Sequence, residues 1–100
     1  MFNLGAFMEQ IQKEINALKR RLENTTYEGS ARQGKIRAWA NGLQLLVALE
    51  ISPDLDKDNL ANDILKACNA ALRQAQEGLN QELVRLTGGH IDFSNNNDWL

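Results

Sequence analysis

The side chains that do most enzyme chemistry are scarce in this chain. It has one histidine, His90, and one cysteine, Cys68, whereas nucleophilic or acid–base catalysis needs several such groups converging on one point. No serine, cysteine or carboxylate is predicted to be held beside His90, so no enzyme activity is expected. A single cysteine forms no internal disulfide, and with His90 as the only other soft ligand it cannot complete a zinc site. Cys68 falls among apolar residues at helical spacing and is read as core, the alternative being a reactive thiol. Asp54, Asp56 and Asp58 alternate as at the start of a calcium loop, but the sequence that follows, through Leu60, lacks the glycine-led turn and the closing glutamate. Gly29, Gly34 and Gly42 fit neither a phosphate-binding nor a dinucleotide-binding spacing. No metal, cofactor or small-molecule substrate is expected.

What remains is charge. The net charge is −2, unpromising for a polyanion ligand until it is divided along the chain. Met1 to Leu49 holds seven bases against four acids, a balance of +3, and the remainder holds four bases against nine acids, a balance of −5. An anion-binding surface should therefore draw on the first half, with isolated cations from the second.

These groups need elements to position them. Leu4, Met8, Ile11, Ile15, Leu18 and Leu22 recur at alternating intervals of four and three, the seam of an amphipathic helix. Lys13 and Arg20, seven apart, share a face away from that seam, and Glu9 stands four residues before Lys13, a spacing that offsets some charge. The plain alternative for this face is a solvated surface. Asn24, Thr25 and Thr26 end the helical pattern, and Thr25 to Tyr27, followed by Gly29 and Ser30, predict a short edge strand.

Asn41-Gly42 between two apolar-rich runs is the preferred pair for a two-residue type I′ hairpin. That turn would set Ala40 opposite Leu43, Ala38 opposite Leu45, Ile36 opposite Val47 and Gly34 opposite Leu49. One face would then be wholly apolar, through Ile36, Ala38, Ala40, Leu43, Leu45, Val47, Leu49 and Ile51. The other would carry Trp39, Leu46 and Ala48 among Lys35, Arg37, Gln44 and Glu50. Trp39, Leu46 and Ala48 make a large apolar patch for so small a chain and are assigned to a subunit contact, the alternative being a partly exposed tryptophan.

Pro53 ends the second hairpin strand, with Ser52 as a helix cap. From about Asp56 a second helix is expected, because Leu60, Ile64, Cys68, Ala71, Ala75, Leu79, Leu83 and Leu86 recur every three or four positions and acids crowd its start. It can run to Thr87, where Gly88-Gly89 stops it, a length of about 48 Å. Three short strands cannot cover that, so its end and the first helix should pack together and project. Gly78 inside it marks a bend or a close approach. Residues 90–100 are asparagine-rich and aperiodic and are expected to form a mobile tail after a single domain spanning 1–89. No apolar stretch is long enough to span a bilayer and no secretory signal is evident, so a cytoplasmic location is expected.

Three motifs, in order, carry a resemblance: Tyr27-Glu28-Gly29-Ser30-Ala31; Gly34-Lys35-Ile36-Arg37 with Asn41-Gly42; and Leu49-Glu50-Ile51-Ser52-Pro53-Asp54-Leu55. Together with the Asn69-Ala70-Ala71 centre of the second helix and the Leu86-Thr87-Gly88-Gly89 stop, they resemble the core of the YbaB/EbfC family over about nine tenths of the chain. Two departures stand out: Ser52 replaces the usual aspartate before the proline, a mild change because serine also caps helices, and the tail is asparagine-rich and acidic instead of rich in glycine, proline and methionine. The resemblance implies an α+β, αβββα protomer with a three-stranded antiparallel sheet and long terminal helices, paired into a tweezer-like homodimer. It also implies a bacterial nucleoid-associated protein that binds double-stranded DNA and is no enzyme. The DNA contacts would lie on the projecting helices. Arg73 falls where the family often has a base, while Lys13, Lys19, Arg20, Arg21 and Arg85 are chosen from charge and position. Little sequence preference is expected, since nothing resembles a helix arranged to read base edges. The competing expectation is a protein-interaction or chaperone-like adaptor using the same arms.

Overall fold

The computed structural model describes residues 3–86 and 88. The order is α1 (Leu4–Asn24), β1 (Thr26–Ala31), β2 (Ile36–Asn41), β3 (Leu46–Ile51) and α2 (Leu60–Leu86), and the three strands form one antiparallel sheet in the order β1-β2-β3. This is the αβββα arrangement expected. The tail assigned to 90–100 lies outside the described residues.

Helix α1 starts at Asn3, whose side chain accepts the Ala6 N–H at 3.2 Å, satisfying one of the amides a first turn leaves unpaired. It ends where Thr25 Oγ1 donates to the Arg21 carbonyl and Asn24 Nδ2 to that of Arg20. The Leu22 carbonyl, which accepts the Thr25 N–H at 3.4 Å, also accepts the Gly42 N–H at 2.7 Å. The helix is therefore pinned to the β2–β3 turn.

That contact explains why the hairpin is not the two-residue turn expected. A type I′ turn needs positive φ at both central residues, and neither Asn41 nor Gly42 has it; Gln44 does, at 63°. The loop holds three residues between Asn41 and Leu45, whose backbones bond at 2.9 Å, and the buried Asn41 side chain accepts the N–H groups of Leu43 and Leu45. Gly42 is required for space, because a Cβ there would sit 2.8 Å from the Leu22 oxygen. Ile36 consequently pairs with Ile51, Ala38 with Leu49 and Trp39 with Ala48. The displacement from the expected register is four residues, an even number, so Leu49 and Ile51 keep the face predicted for them. A bulge beyond Trp39 then sets Leu46 opposite Ala40, out of line with Trp39 and Ala48.

Helix α2 lies across β1 and β2 through a stripe of small residues. Ala67, Ala71 and Ala75 are fully buried against Ile36, Ala38 and Ala40. The approach is so close that a Cβ on Gly29 would fall 2.2 Å from the Ala71 nitrogen, and one on Gly78 2.1 Å from the Tyr27 hydroxyl. Gly78 thus serves close approach. Cys68 is half-buried against this core, with Leu60, Ile64 and Leu72 beside it. β3 receives no such cover, and all six of its residues are exposed.

The helix begins at Leu60, four residues later than the acid-rich pattern suggested. Arg32, in the β1–β2 turn, donates from Nε to Asp63 Oδ2 at 2.6 Å, from Nη1 to the Asp56 carbonyl at 2.6 Å and from Nη2 to the Asp58 carbonyl. Asp56 Oδ1 accepts the Asp58 N–H, and Asn59 takes φ of 58°. These bonds hold residues 56–59 outside helical geometry. At the other end Gly88, with φ of 67°, donates its N–H to the Arg85 carbonyl, in keeping with the expected glycine stop.

Candidate nucleic-acid interface

Every basic residue singled out from the sequence is exposed, but they fall into two groups. Lys13, Lys19 and Arg20 on α1 and Arg73 on α2 form no ion pair with any carboxylate among the described residues. Glu9 makes no ion pair with Lys13 despite its spacing. Arg21 and Arg85 instead share Glu82: Arg21 Nη2 lies 3.0 Å from Glu82 Oε1, and Arg85 reaches both carboxylate oxygens from within its own helix. The Arg85 hydrogen bond, then the charges of Arg85 and Arg21, hold the Glu82 carboxyl below the usual glutamate range.

The Arg21–Glu82 bridge joins the C-terminal half of α1 to the last turns of α2, as the projection argument required. Between the helices runs a groove of about 590 Å³ lined by Ile11, Ile15, Leu18, Ala17, Glu14, Arg21 and Leu86. The seam of α1 faces it without being closed over, and α1 buries no residue fully. Lys13 and Arg20 are seven residues apart, a rise of about 10.5 Å, and so present two cations along one line of α1. Arg73 stands apart from them in a shallow hollow with Gln44, Asn69, Leu72 and Gln76.

The sheet face carrying Trp39 and Ala48 is more polar than the sequence suggested. Arg37 pairs with Glu50 at 2.7 Å and Glu28 at 3.6 Å and lies 5.2 Å from the centre of the Trp39 ring. The Glu50 hydrogen bond, reinforced by its charge, raises the Arg37 pKa. A guanidinium so engaged is poorly placed to meet a phosphate. Arg32 is equally committed, to the α2 entry. Neither role had a local signal in the sequence, because both depend on strand pairing and on a contact across 31 positions; the Glu82–Arg85 spacing is the one clue that was there to be read. Among the described residues no cluster of histidine, cysteine or carboxylate side chains could hold a metal ion, and His90 lies outside them. No described helix is long and apolar enough to cross a membrane.

Residues 1–90 match the sequence profile of the YbaB/EbfC DNA-binding family. The chain belongs to that family. It is 41% identical over 85 residues to a nucleoid-associated protein of Thermoanaerobacter pseudethanolicus, covering 81% of this chain and 77% of the relative. It is also 35% identical over 97 residues to a nucleoid-associated protein of Chlorobium phaeobacteroides, covering 92% and 87%. A crystal structure of an uncharacterized Helicobacter pylori protein superposes with a TM-score of 0.73 over 88% of this chain and the whole of that one, at 22% identity. That likeness establishes a shared fold. Membership in the YbaB/EbfC family accounts for the order of the three sequence motifs.

Proposed function

We propose that this YbaB/EbfC protein is nucleoid-associated and grips duplex DNA as a homodimer, residues 1–89 of each protomer acting as one binding unit. The observation that carries this reading is the set of unpaired, exposed cations on α1, Lys13, Lys19 and Arg20, in a chain of a DNA-binding family. Arg73 adds a fourth cation from α2. Each neutralises a phosphate and releases counterions, which gives affinity with little dependence on base sequence. Arg21 and Arg85, drawn together by Glu82, set the angle of the arm and add less to the contact.

The partner protomer is proposed to cover β3. Val47, Leu49 and Ile51 are apolar and exposed on an edge strand, an arrangement soluble proteins rarely leave open. Leu46 and Ala48 belong to the same strand, and Trp39 pairs with Ala48 next to it. Relatives named as nucleoid-associated support the cellular setting.

Titrating a labelled random duplex with the protein at several salt concentrations and following anisotropy tests the proposal. Affinity should fall log-linearly with salt. Absence of binding at low salt would refute it and favour a protein-binding adaptor.

A further inference from the structure

The first two turns of α1 carry an apolar ridge that stands largely exposed. Leu4 is 62% exposed, Met8 57% and Ile15 52%, and Leu86 on α2 is 53% exposed beside the same groove. The two helices run in opposite directions along this groove, since Glu82 meets Arg21 and Leu86 meets the Ile11–Ile15 stretch. Chain that continues past Leu86 therefore starts alongside α1, at the inner end of the open ridge.

We propose that the segment 89–100 of this same chain docks on that ridge, with Ile91 and Phe93 covering Leu4 and Met8, and that its acids lower DNA affinity. Reach is ample. Five extended residues from Gly88 to Phe93 span about 17 Å, and α1 from Ile15 back to Met8 rises only about 10 Å. Sequence order is suitable, because Ile91 and Phe93 are the first large apolar residues after Leu86. Charge is suitable as well: the segment contains Asp92 and Asp98 and no lysine or arginine, and it would lie on the helix that bears Lys13, Lys19 and Arg20 unpaired. At low salt, where the Debye length reaches about 30 Å, carboxylates held on the same helix weaken the field that a phosphate meets at those cations, and added salt screens the effect.

The regulatory half rests on the DNA-binding reading, and the docking half does not. For docking, Met8→Cys and Phe93→Cys are combined in a Cys68→Ser background, oxidised at low protein concentration and compared with Glu9→Cys and Phe93→Cys, whose α1 cysteine has the same tether but points away from the ridge. Expected is an intramolecular disulfide forming at least about tenfold faster for Met8→Cys. Equal rates overturn docking. A disulfide mainly between chains, falling on dilution, overturns it in favour of a second copy on the ridge. For regulation, truncation after Gly89 is expected to tighten duplex binding roughly three- to tenfold at low salt, with the gain shrinking as salt rises. Unchanged affinity overturns the regulatory half. If neither full-length nor truncated protein binds DNA, the DNA reading and the regulatory half fall together, and the disulfide rates still decide docking.

Discussion

Replacing both Lys13 and Arg20 by alanine asks whether α1 is the phosphate-contacting arm. Both side chains are exposed and unpaired, and the Arg20 carbonyl that receives the Asn24 side chain is backbone and survives the change. The fold should therefore be intact, with an unaltered urea midpoint and far-ultraviolet circular dichroism. Each phosphate contact contributes about 0.9 to the slope of log affinity against log salt, so its loss weakens binding by a factor of about 8 at 0.1 M salt. If one arm of the dimer meets the duplex, the double variant loses two contacts, about 1.8 of slope and about 60-fold in affinity. If both arms close on it, four contacts go, with about 3.6 of slope and roughly 4000-fold in affinity. Anisotropy titrations at four or more salt concentrations separate these cases. Lys57→Ala, a cation in the loop that precedes α2, serves as control and should change neither quantity by more than one contact. An unchanged slope in the double variant would refute the reasoning, even if affinity fell, because the loss would not be electrostatic.

The dimer surface is tested by Leu49→Arg, which would bury an unpaired charge between β3 strands at a cost of about 3–5 kcal/mol and so weaken dimerisation roughly 100- to 4000-fold; sedimentation that still shows dimers at micromolar concentration contradicts the assignment. Gly29→Ala forces a Cβ into the backbone of α2 and should destabilise by about 3 kcal/mol or prevent folding. Gly78→Ala would set a Cβ 2.1 Å from the Tyr27 hydroxyl, against a side chain instead of backbone and with about 1 kcal/mol of helix propensity in its favour, so chemical denaturation should rank it destabilising but milder than Gly29→Ala. Glu82 is held ionised by Arg85 and Arg21: with its folded pKa depressed, the stability it supplies is complete above the ordinary value of about 4.3 and is lost as pH falls through the lower folded value. Glu82→Gln should therefore lower stability near neutrality, flatten the acid limb of a stability–pH curve and converge with the parent protein at low pH.

Much of the fold could be read from local chemistry. The four-and-three spacing of α1, the strand residues after Asn24 and the double glycine after Leu86 all fixed elements that the structure contains, because each depends only on neighbours in sequence. The failures lie where a distant group decides. Asn41-Gly42 alone favours a two-residue turn, but the Leu22 carbonyl recruits the Gly42 N–H, and Gly42 then serves for its lack of a side chain. The acids at Asp56 and Asp58 look like a helix start until Arg32 binds the carbonyls of both. The division of the six candidate cations into free and paired depended on Glu82, which meets Arg21 only after α1 and α2 are laid side by side.

The same logic explains the core. Periodicity marked Ala71 and Ala75, with Cys68, Leu79 and Leu83, as the inner face of α2, and the deepest positions are Ala67, Ala71 and Ala75. The sheet beneath offers Gly29, Ala38 and Ala40, so the helix settles until backbones nearly touch, and only alanine or glycine fits the line of closest approach. A core of five alanines and one isoleucine removes little apolar area from water, at about 25 cal/mol per Å². The larger residues lie outside it, along β3, on the flank of α2 at Leu65 and along the seam of α1. Among the described residues, many of the large apolar side chains thus lie on surfaces that another chain, or another part of this one, could cover. In the proposed dimer, assembly stabilises the fold as well as holding DNA from two sides, so variants of β3 should lower the thermal midpoint in a concentration-dependent way that variants of Lys13 and Arg20 do not.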